Sequence, residues 1–211
     1  MKKSIVAIIA ILVCSSVFAQ EPDSSIIVGG LNVDFGVYAT ESYDKTLHTT
    51  DDDGAASRIT SIWGEYIIKR RLGVGLKLAG ANYVTTRDSF SNTIPTAKSF
   101  DIGLTVNYYL VSRKKFSLPI GITFGTSSFT YSNNWTDHGT AKDRGTFLNI
   151  GIYPRIYFGK KKKFGMNFKL AFASYAYNSM DFKSDFFTLN DAQTLKGKGV
   201  NIGFGLQYRI K

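Results

Sequence analysis

The feature that most constrains this chain is an alternation of period two that recurs along most of its length. From Phe100 to Leu110 the even positions read Phe, Ile, Leu, Val, Tyr, Leu, and polar or small residues stand between them. From Val200 to Ile210 the even positions again carry only apolar side chains, separated by Asn201, Gly203, Gly205, Gln207 and Arg209. Successive side chains of a strand point to opposite faces, so this pattern puts the apolar residues on one face of an extended segment. The same alternation runs through residues 27–37, 72–78, 116–124, 148–158 and 164–172. Residues 57–68 are blurred, because Ile59, Ile62, Trp63, Ile67 and Ile68 occupy both parities. No sustained helical repeat competes with these eight segments.

The connections between the segments follow a rhythm of their own. Those near 69–71, 112–115 and 159–163 are short and hold ten of the 26 basic residues, in Lys69-Arg70-Arg71, Arg113-Lys114-Lys115 and Lys160 to Lys163. The connections at 41–56, 85–97, 132–145 and 178–197 are long and carry eleven of the 16 acids. The formal charge of +10 would suit a polyanion ligand, but bases confined to turns make no phosphate-tracking stripe, so no nucleic acid is expected as partner. Eight strands joined by three short turns and four long loops predict an all-β, eight-stranded antiparallel up-and-down transmembrane barrel. Eleven residues at about 3.3 Å each, tilted roughly 45°, cover on the order of 25 Å, the height of an apolar band in an outer membrane.

The volume of the apolar set decides which face looks outward. An eight-strand lumen holds one filled layer of side chains or one small ligand, too little for this many Phe, Leu and Ile residues. The apolar face is therefore assigned to lipid and the polar face to the interior. On that basis Asp34, Glu65, Lys77, Asp101, Arg155, Lys169 and Arg209 are expected inside, with Glu65 on the blurred segment. Two roles are open to them: a path for protons or ions, or a structural plug of paired charges. The plug is favoured, because barrels of this size fill their interiors with side chains. Tyr66, Tyr108, Phe116, Phe158, Phe164 and Tyr208 fall on the lipid face near the short-turn end. They are expected to form an aromatic girdle on the periplasmic side, where rings sit half wet and half dry.

The first nineteen residues stand apart. Lys2 and Lys3 precede the apolar run Ile5 to Val13, and Val17-Phe18-Ala19 ends in the small residue a signal peptidase requires. Residues 1–19 are expected to be a cleaved signal peptide and 20–211 the barrel domain. Cys14, the only cysteine, lies in the signal after Val13, a poor context for lipidation.

The whole mature stretch resembles the small outer-membrane β-barrel proteins of Gram-negative bacteria, the group that includes OmpA-type and OmpX-type barrels. The residues that carry the resemblance are Ile62-Trp63-Gly64-Glu65-Tyr66-Ile67-Ile68 with Leu72-Gly73-Val74-Gly75-Leu76, and the ending Gly205-Leu206-Gln207-Tyr208-Arg209-Ile210. That ending is similar to the carboxyl-terminal signal read by the barrel-assembly machinery, although Lys211 follows in place of an aromatic residue. The resemblance implies outer-membrane lipid and lipopolysaccharide as surroundings, long loops outside and short basic turns in the periplasm. No peptidoglycan-binding domain is expected after the last strand.

Chemistry is sparse. His48 and His138 lie in long connections near acids, with no spacing that defines a catalytic triad. The run Asp51-Asp52-Asp53-Gly54 lacks the spaced ligands and later bidentate Glu of a calcium loop. No catalytic residue, cofactor or metal site is therefore expected. The expectation is a non-enzymatic surface-interaction, adhesive or structural barrel with a plugged, non-conducting interior and a possible extracellular ligand at its long loops. The alternatives are a lipid-modifying outer-membrane enzyme, a small pore, and a soluble lipocalin-like periplasmic carrier.

Overall fold

In the computed structural model, which describes residues 25–85, 96–132, 140–183 and 188–210, the chain forms one closed antiparallel sheet. Its strands are β1 (Ile26–Asp44), β2 (Thr49–Ile68), β3 (Leu72–Thr85), β4 (Thr96–Ser112), β5 (Phe116–Ser132), β6 (Thr140–Ile152), β7 (Arg155–Phe158), β8 (Phe164–Lys183) and β9 (Thr188–Arg209). β6 and β7 make a single wall. The chain breaks at Tyr153-Pro154, where proline has no amide to donate, and both pieces pair with β5 and β8. The wall count is thus eight, as the alternation predicts. Closure comes from β1 against β9, in register from Val28↔Arg209 to Asp44↔Gln193. The expected signal peptide, residues 1–19, lies outside the described residues.

Closure is staggered. A walk across directly paired residues from Lys142 passes Thr130, Lys98, Asn82, Arg58, Phe35, Ile202 and Leu170, and returns to β6 at Ile152 instead of Lys142. A stagger of this kind tilts every strand against the barrel axis. Tilt in turn sets which residues share a height, so residues far apart in the register lie on one level of the wall.

The outward face is apolar through the middle of every wall. Tyr208, Leu206, Phe204, Ile202 and Val200 follow one another on β9, and Leu110, Val106, Leu104, Ile102 and Phe100 do so on β4, all exposed. An apolar surface on this scale is far beyond the few hundred Å² that soluble monomers tolerate. It fits hydrocarbon, because the closed ladder pairs the strands wall to wall along the apolar band. The blurred segment resolves cleanly: β2 alternates without a slip, with Ala55, Ser57, Ile59, Ser61, Glu65 and Ile67 buried inside and Arg58, Thr60, Ile62, Tyr66 and Ile68 outside. The pattern is hard to see because β2 sends two isoleucines into the lumen and an arginine out.

The long connections depart from expectation. Residues 41–56 are not a loop: β1 and β2 stay paired as far as Asp44↔Thr49, leaving only Lys45 to His48 as a turn. Residues 178–197 likewise extend β8 and β9 to Lys183↔Thr188. Most of the segments 85–97 and 132–145 lies outside the described residues, although β6 already begins at Thr140. The physical reason is that a polar hairpin still satisfies its backbone by ladder pairing, so strands continue above the apolar band. At the β1–β2 tip the Asp44 carboxylate accepts from the amides of Thr46 (2.8 Å) and Leu47 (3.0 Å), which holds its pKa below the usual carboxylate value. Lys45 then bridges to Asp191 and to the carbonyl of Asn178, tying this hairpin to the β8–β9 hairpin. At the opposite end Arg71 N–H donates to the Ile68 carbonyl (3.0 Å) across a turn with Lys69 and Arg70 at φ 48° and 56°, the two left-handed central residues of a type I′ turn.

The orientation yields a graded expectation. Leu104→Arg or Ile202→Arg, near mid-height, should lower the unfolding free energy in lipid vesicles by about 2–4 kcal/mol in a urea titration, whereas Asn82→Arg, at the boundary, should cost about 1 kcal/mol or less.

Candidate functional site: a plugged lumen beneath an aromatic cup

The alternation that sends apolar residues outward leaves the lumen to three layers. The lowest, at the short-turn end, is a small apolar cluster of Val28, Ile67 and Tyr109 with Ile26 and Trp63 against it. Here Arg209 lays its guanidinium over the Tyr157 ring, 3.9 Å from the centroid.

The middle layer is polar and interlocked. Arg155 Nη2 donates to Glu65 Oε2 (2.6 Å) and Nη1 to the Tyr109 hydroxyl (2.5 Å), and the same guanidinium covers Trp63 at 4.6 Å. Asn107 donates to the other Glu65 oxygen (2.9 Å), Trp63 Nε1 to Asn32 (2.8 Å), and Asn32 to Asn167 (2.8 Å). Above them Lys169 Nζ donates to Asp34 Oδ2 at 2.6 Å, and Lys77 approaches that oxygen at 3.7 Å. Such charges are tolerated away from water because each meets an opposite charge, although Asp34 Oδ1 has no hydrogen-bond partner among the described residues. The void left among these groups is only about 40 Å³, space for a few waters.

All seven expected interior charges point into the barrel, yet they do not all pair. Asp34 and Glu65 take Lys169, Lys77 and Arg155. Asp101 meets the hydroxyls of Ser127 (2.5 Å) and Tyr175 (3.2 Å) instead of a cation. Arg209 meets a ring instead of an acid. The expectation of three acids pairing with four bases is corrected for these two, because Asp101 lies beneath the upper cavity and Arg209 at the short-turn end, too far apart in height to meet. The six girdle candidates face outward at the short-turn end, Tyr108 half-buried and the others exposed. Phe158, Phe164 and Tyr208 are direct register partners across three neighbouring walls.

The top layer is a feature the sequence reading missed. Above Asp101 the lumen opens into a cavity of about 320 Å³ to which all eight walls contribute. Its sides are rings: Tyr38 meets Tyr83 and Tyr175 edge-on at 6.1 and 5.8 Å, Phe129 packs on Tyr177 at 5.1 Å, and Tyr175 stacks near Tyr177 at 6.4 Å. Each such pair contributes about 0.5–1.5 kcal/mol beyond burial, so the rings form a stiff wall. Ala55, Ala97, Ala141 and Gly197 take the remaining inward positions, and their small size creates the space. The ring hydroxyls turn down into the plug: Tyr38 donates to Asn201 (2.5 Å), and Tyr177 bonds Ser127 (2.6 Å). The mouth is polar, with Thr40, Ser42, Asp51, Asp53 and Gln193. Extending the period-two count past residue 172 puts Tyr175 and Tyr177 on the inward parity, which is the signal that could have found them.

Other candidates are dispersed. Strand alternation splits the acidic run, turning Asp51 and Asp53 toward the cup and Asp52 away, so the three carboxylates do not converge. His48 sits in the β1–β2 turn with Nδ1 3.0 Å from the Tyr43 hydroxyl. His138 lies outside the described residues. Among the described residues no three His, Cys, Asp or Glu side chains gather as metal ligands.

No family model matches the chain, and no curated protein sequence matches it. Solved structures do. The outer membrane protein AlkL superposes with a TM-score of 0.58 at 10% identity, covering 92% of this chain and 93% of that one. OprG from Pseudomonas aeruginosa superposes at 0.52 with 13% identity, covering 85% of this chain and 96% of its own. At these identities the likeness concerns fold alone: the chain has the fold of the small outer-membrane β-barrels, with eight walls.

Breaking the middle layer tests the pairing. Asp34→Ala leaves two buried ammonium groups without a counter-charge and should destabilise the barrel by about 3–5 kcal/mol. Asp101→Asn removes a carboxylate that faces no cation and keeps one acceptor oxygen, with one hydroxyl turning to accept from the new amide, and should cost clearly less, both values read from urea unfolding in vesicles.

Proposed function

We propose that this protein is a non-enzymatic outer-membrane barrel that holds a small molecule at its outward end and conducts nothing through its centre. The observation that carries this is the stacking of the 320 Å³ aromatic cup on the closed polar layer. The volume lies at the lower end of the range for small-molecule sites, and an apolar wall with a few polar groups at one end is their usual make-up. The chemistry of the lining selects an aromatic or short alkyl body with one polar end. The body would lie against Phe129, Tyr131 and Tyr175, and the polar end at the mouth between Thr40 and Gln193. The long hairpins face outward from the cell and the basic turns face the periplasm, so the cup is loaded from outside. Residues 1–19 act as the export signal that brings the chain there.

A small pore fits the geometry less well, because Lys169, Asp34, Arg155 and Glu65 would all have to leave their partners before an ion could pass. Catalysis has no assembled set of groups among the described residues to support it.

Two measurements test the proposal together. Purified barrel in planar bilayers should give no stable conductance steps. In lipid nanodiscs, a fluorinated indole should show saturable binding by fluorine NMR, and the double substitution Ala97→Trp/Ala141→Trp, which fills the cup from two walls, should abolish the saturable component. Large steady steps would count against the plug, and identical titrations of the two proteins would count against the cup.

A further inference from the structure

Going up the wall from the short-turn end, the first charges on the outward face come where four apolar series end. On β9 the exposed series Tyr208, Leu206, Phe204, Ile202, Val200 ends at Lys198, and on β4 the series from Tyr108 to Phe100 ends at Lys98. On β2 the outward series from Tyr66 ends at Arg58, and on β6 the series Ile152, Ile150, Leu148, Thr146 ends at Arg144. From Tyr208 to Lys198, or from Tyr108 to Lys98, the rise at roughly 45° tilt is on the order of 25 Å, one apolar band. The four cations therefore stand at the far edge of the band, opposite the aromatic row at the short-turn end.

Their placement around the barrel is regular. β2, β4, β6 and β9 are every second wall, with β3, β5, β8 and β1 between them. Arg58 and Lys98 stand about 10 Å apart across Asn82 at the usual strand spacing. The register sets Lys198 four residues along the strand from both Arg58 and Arg144, a separation of roughly 16 Å. The intervening wall positions at this height are uncharged: Asn82 lies across from both Arg58 and Lys98, and Ser174 and Ala39 lie across from Lys198. Among the described residues none of the four makes an ion pair with a carboxylate. The next cations up the wall differ, since Lys196 reaches Glu41 at 3.6 Å and Lys142 faces Asp181 in the register.

We propose that Arg58, Lys98, Arg144 and Lys198 form a collar that binds the phosphate groups of lipid A, the phosphorylated glycolipid anchor of lipopolysaccharide, around the outer rim of the barrel. Cations fixed at a hydrocarbon boundary and lacking acidic partners are matched by a layer of anionic headgroups at that depth. Lipid A offers two phosphates on one rigid sugar unit, so a single molecule could engage the collar at two points. The inference uses the orientation given above, with the hairpins outside, but not the cup.

The test uses the full chain in mild detergent, with lipid A, its dephosphorylated form and phosphatidylglycerol as probes, and native mass spectrometry as the readout of bound lipid. A cation near an anionic surface is worth about fivefold in binding. Arg58→Gln/Lys98→Gln/Arg144→Gln/Lys198→Gln should therefore retain lipid A at least about tenfold less than the parent, while Lys69→Gln/Lys114→Gln/Lys161→Gln in the turns should retain it unchanged. The dephosphorylated lipid should bind both proteins equally weakly. If the quadruple variant does not fold, as judged by heat-modifiable migration, the pairs Arg58→Gln/Lys98→Gln and Arg144→Gln/Lys198→Gln take its place, and each should lose about half of the effect on a logarithmic scale. Equal retention by collar and turn variants would overturn the proposal, and so would phosphatidylglycerol bound as tightly as lipid A. Ala97→Trp/Ala141→Trp should leave lipid A retention unchanged, so failure of the cup and failure of the collar are separate results.

Discussion

Every other property of this molecule depends on the ladder being closed. A strand inside hydrocarbon has no water to satisfy its amides, and an open edge would leave a row of them bare. Pairing β1 with β9 from Val28↔Arg209 upward removes that edge. Once the ladder is closed, alternation has only two sides to serve, lipid and lumen, and the stagger of the closure fixes the bore. A bore of eight walls is narrow enough that side chains fill it. The plug is therefore a consequence of wall number before it is a property of any single residue.

Within that bore, the shape of the lumen depends on where large side chains give way to small ones. The middle of the lumen is filled by long polar side chains that bond one another, from Glu65 and Arg155 to Asp34 and Lys169. Higher up, Ala55, Ala97, Ala141 and Gly197 leave room, and tyrosines line what remains. Tyrosine suits this junction, because its hydroxyl joins the polar layer below while its ring presents an apolar wall to the space above. The same residue type thus seals one layer and furnishes the next.

Much of this was legible in the residues. Period two, the rhythm of connections and the sheer volume of apolar side chains fix the wall count and the inside-out orientation, and the interior charges follow from parity. Three things were not legible. β2 hid its alternation because the lumen accepts Ile59 and Ile67 as readily as it accepts Glu65. The hairpin extensions hid because a polar strand above the membrane has no apolar face to mark it, so composition alone reads Thr49 to Gly54 as a loop. The cup hid because space is made by alanine and glycine, which carry no chemical label. Which of the interior charges pair also depends on height, and height requires the stagger of the whole ring.

The meeting of β1 with β9 also bears on how the chain can be assembled. The two partners lie at opposite ends of the domain, so the seam cannot form until the final strand has been synthesised and delivered. A version cut short before β9 would expose two raw edges, one on β1 and one on β8, and would have no partly working form to fall back on. Closure of the ring is thereby all-or-none.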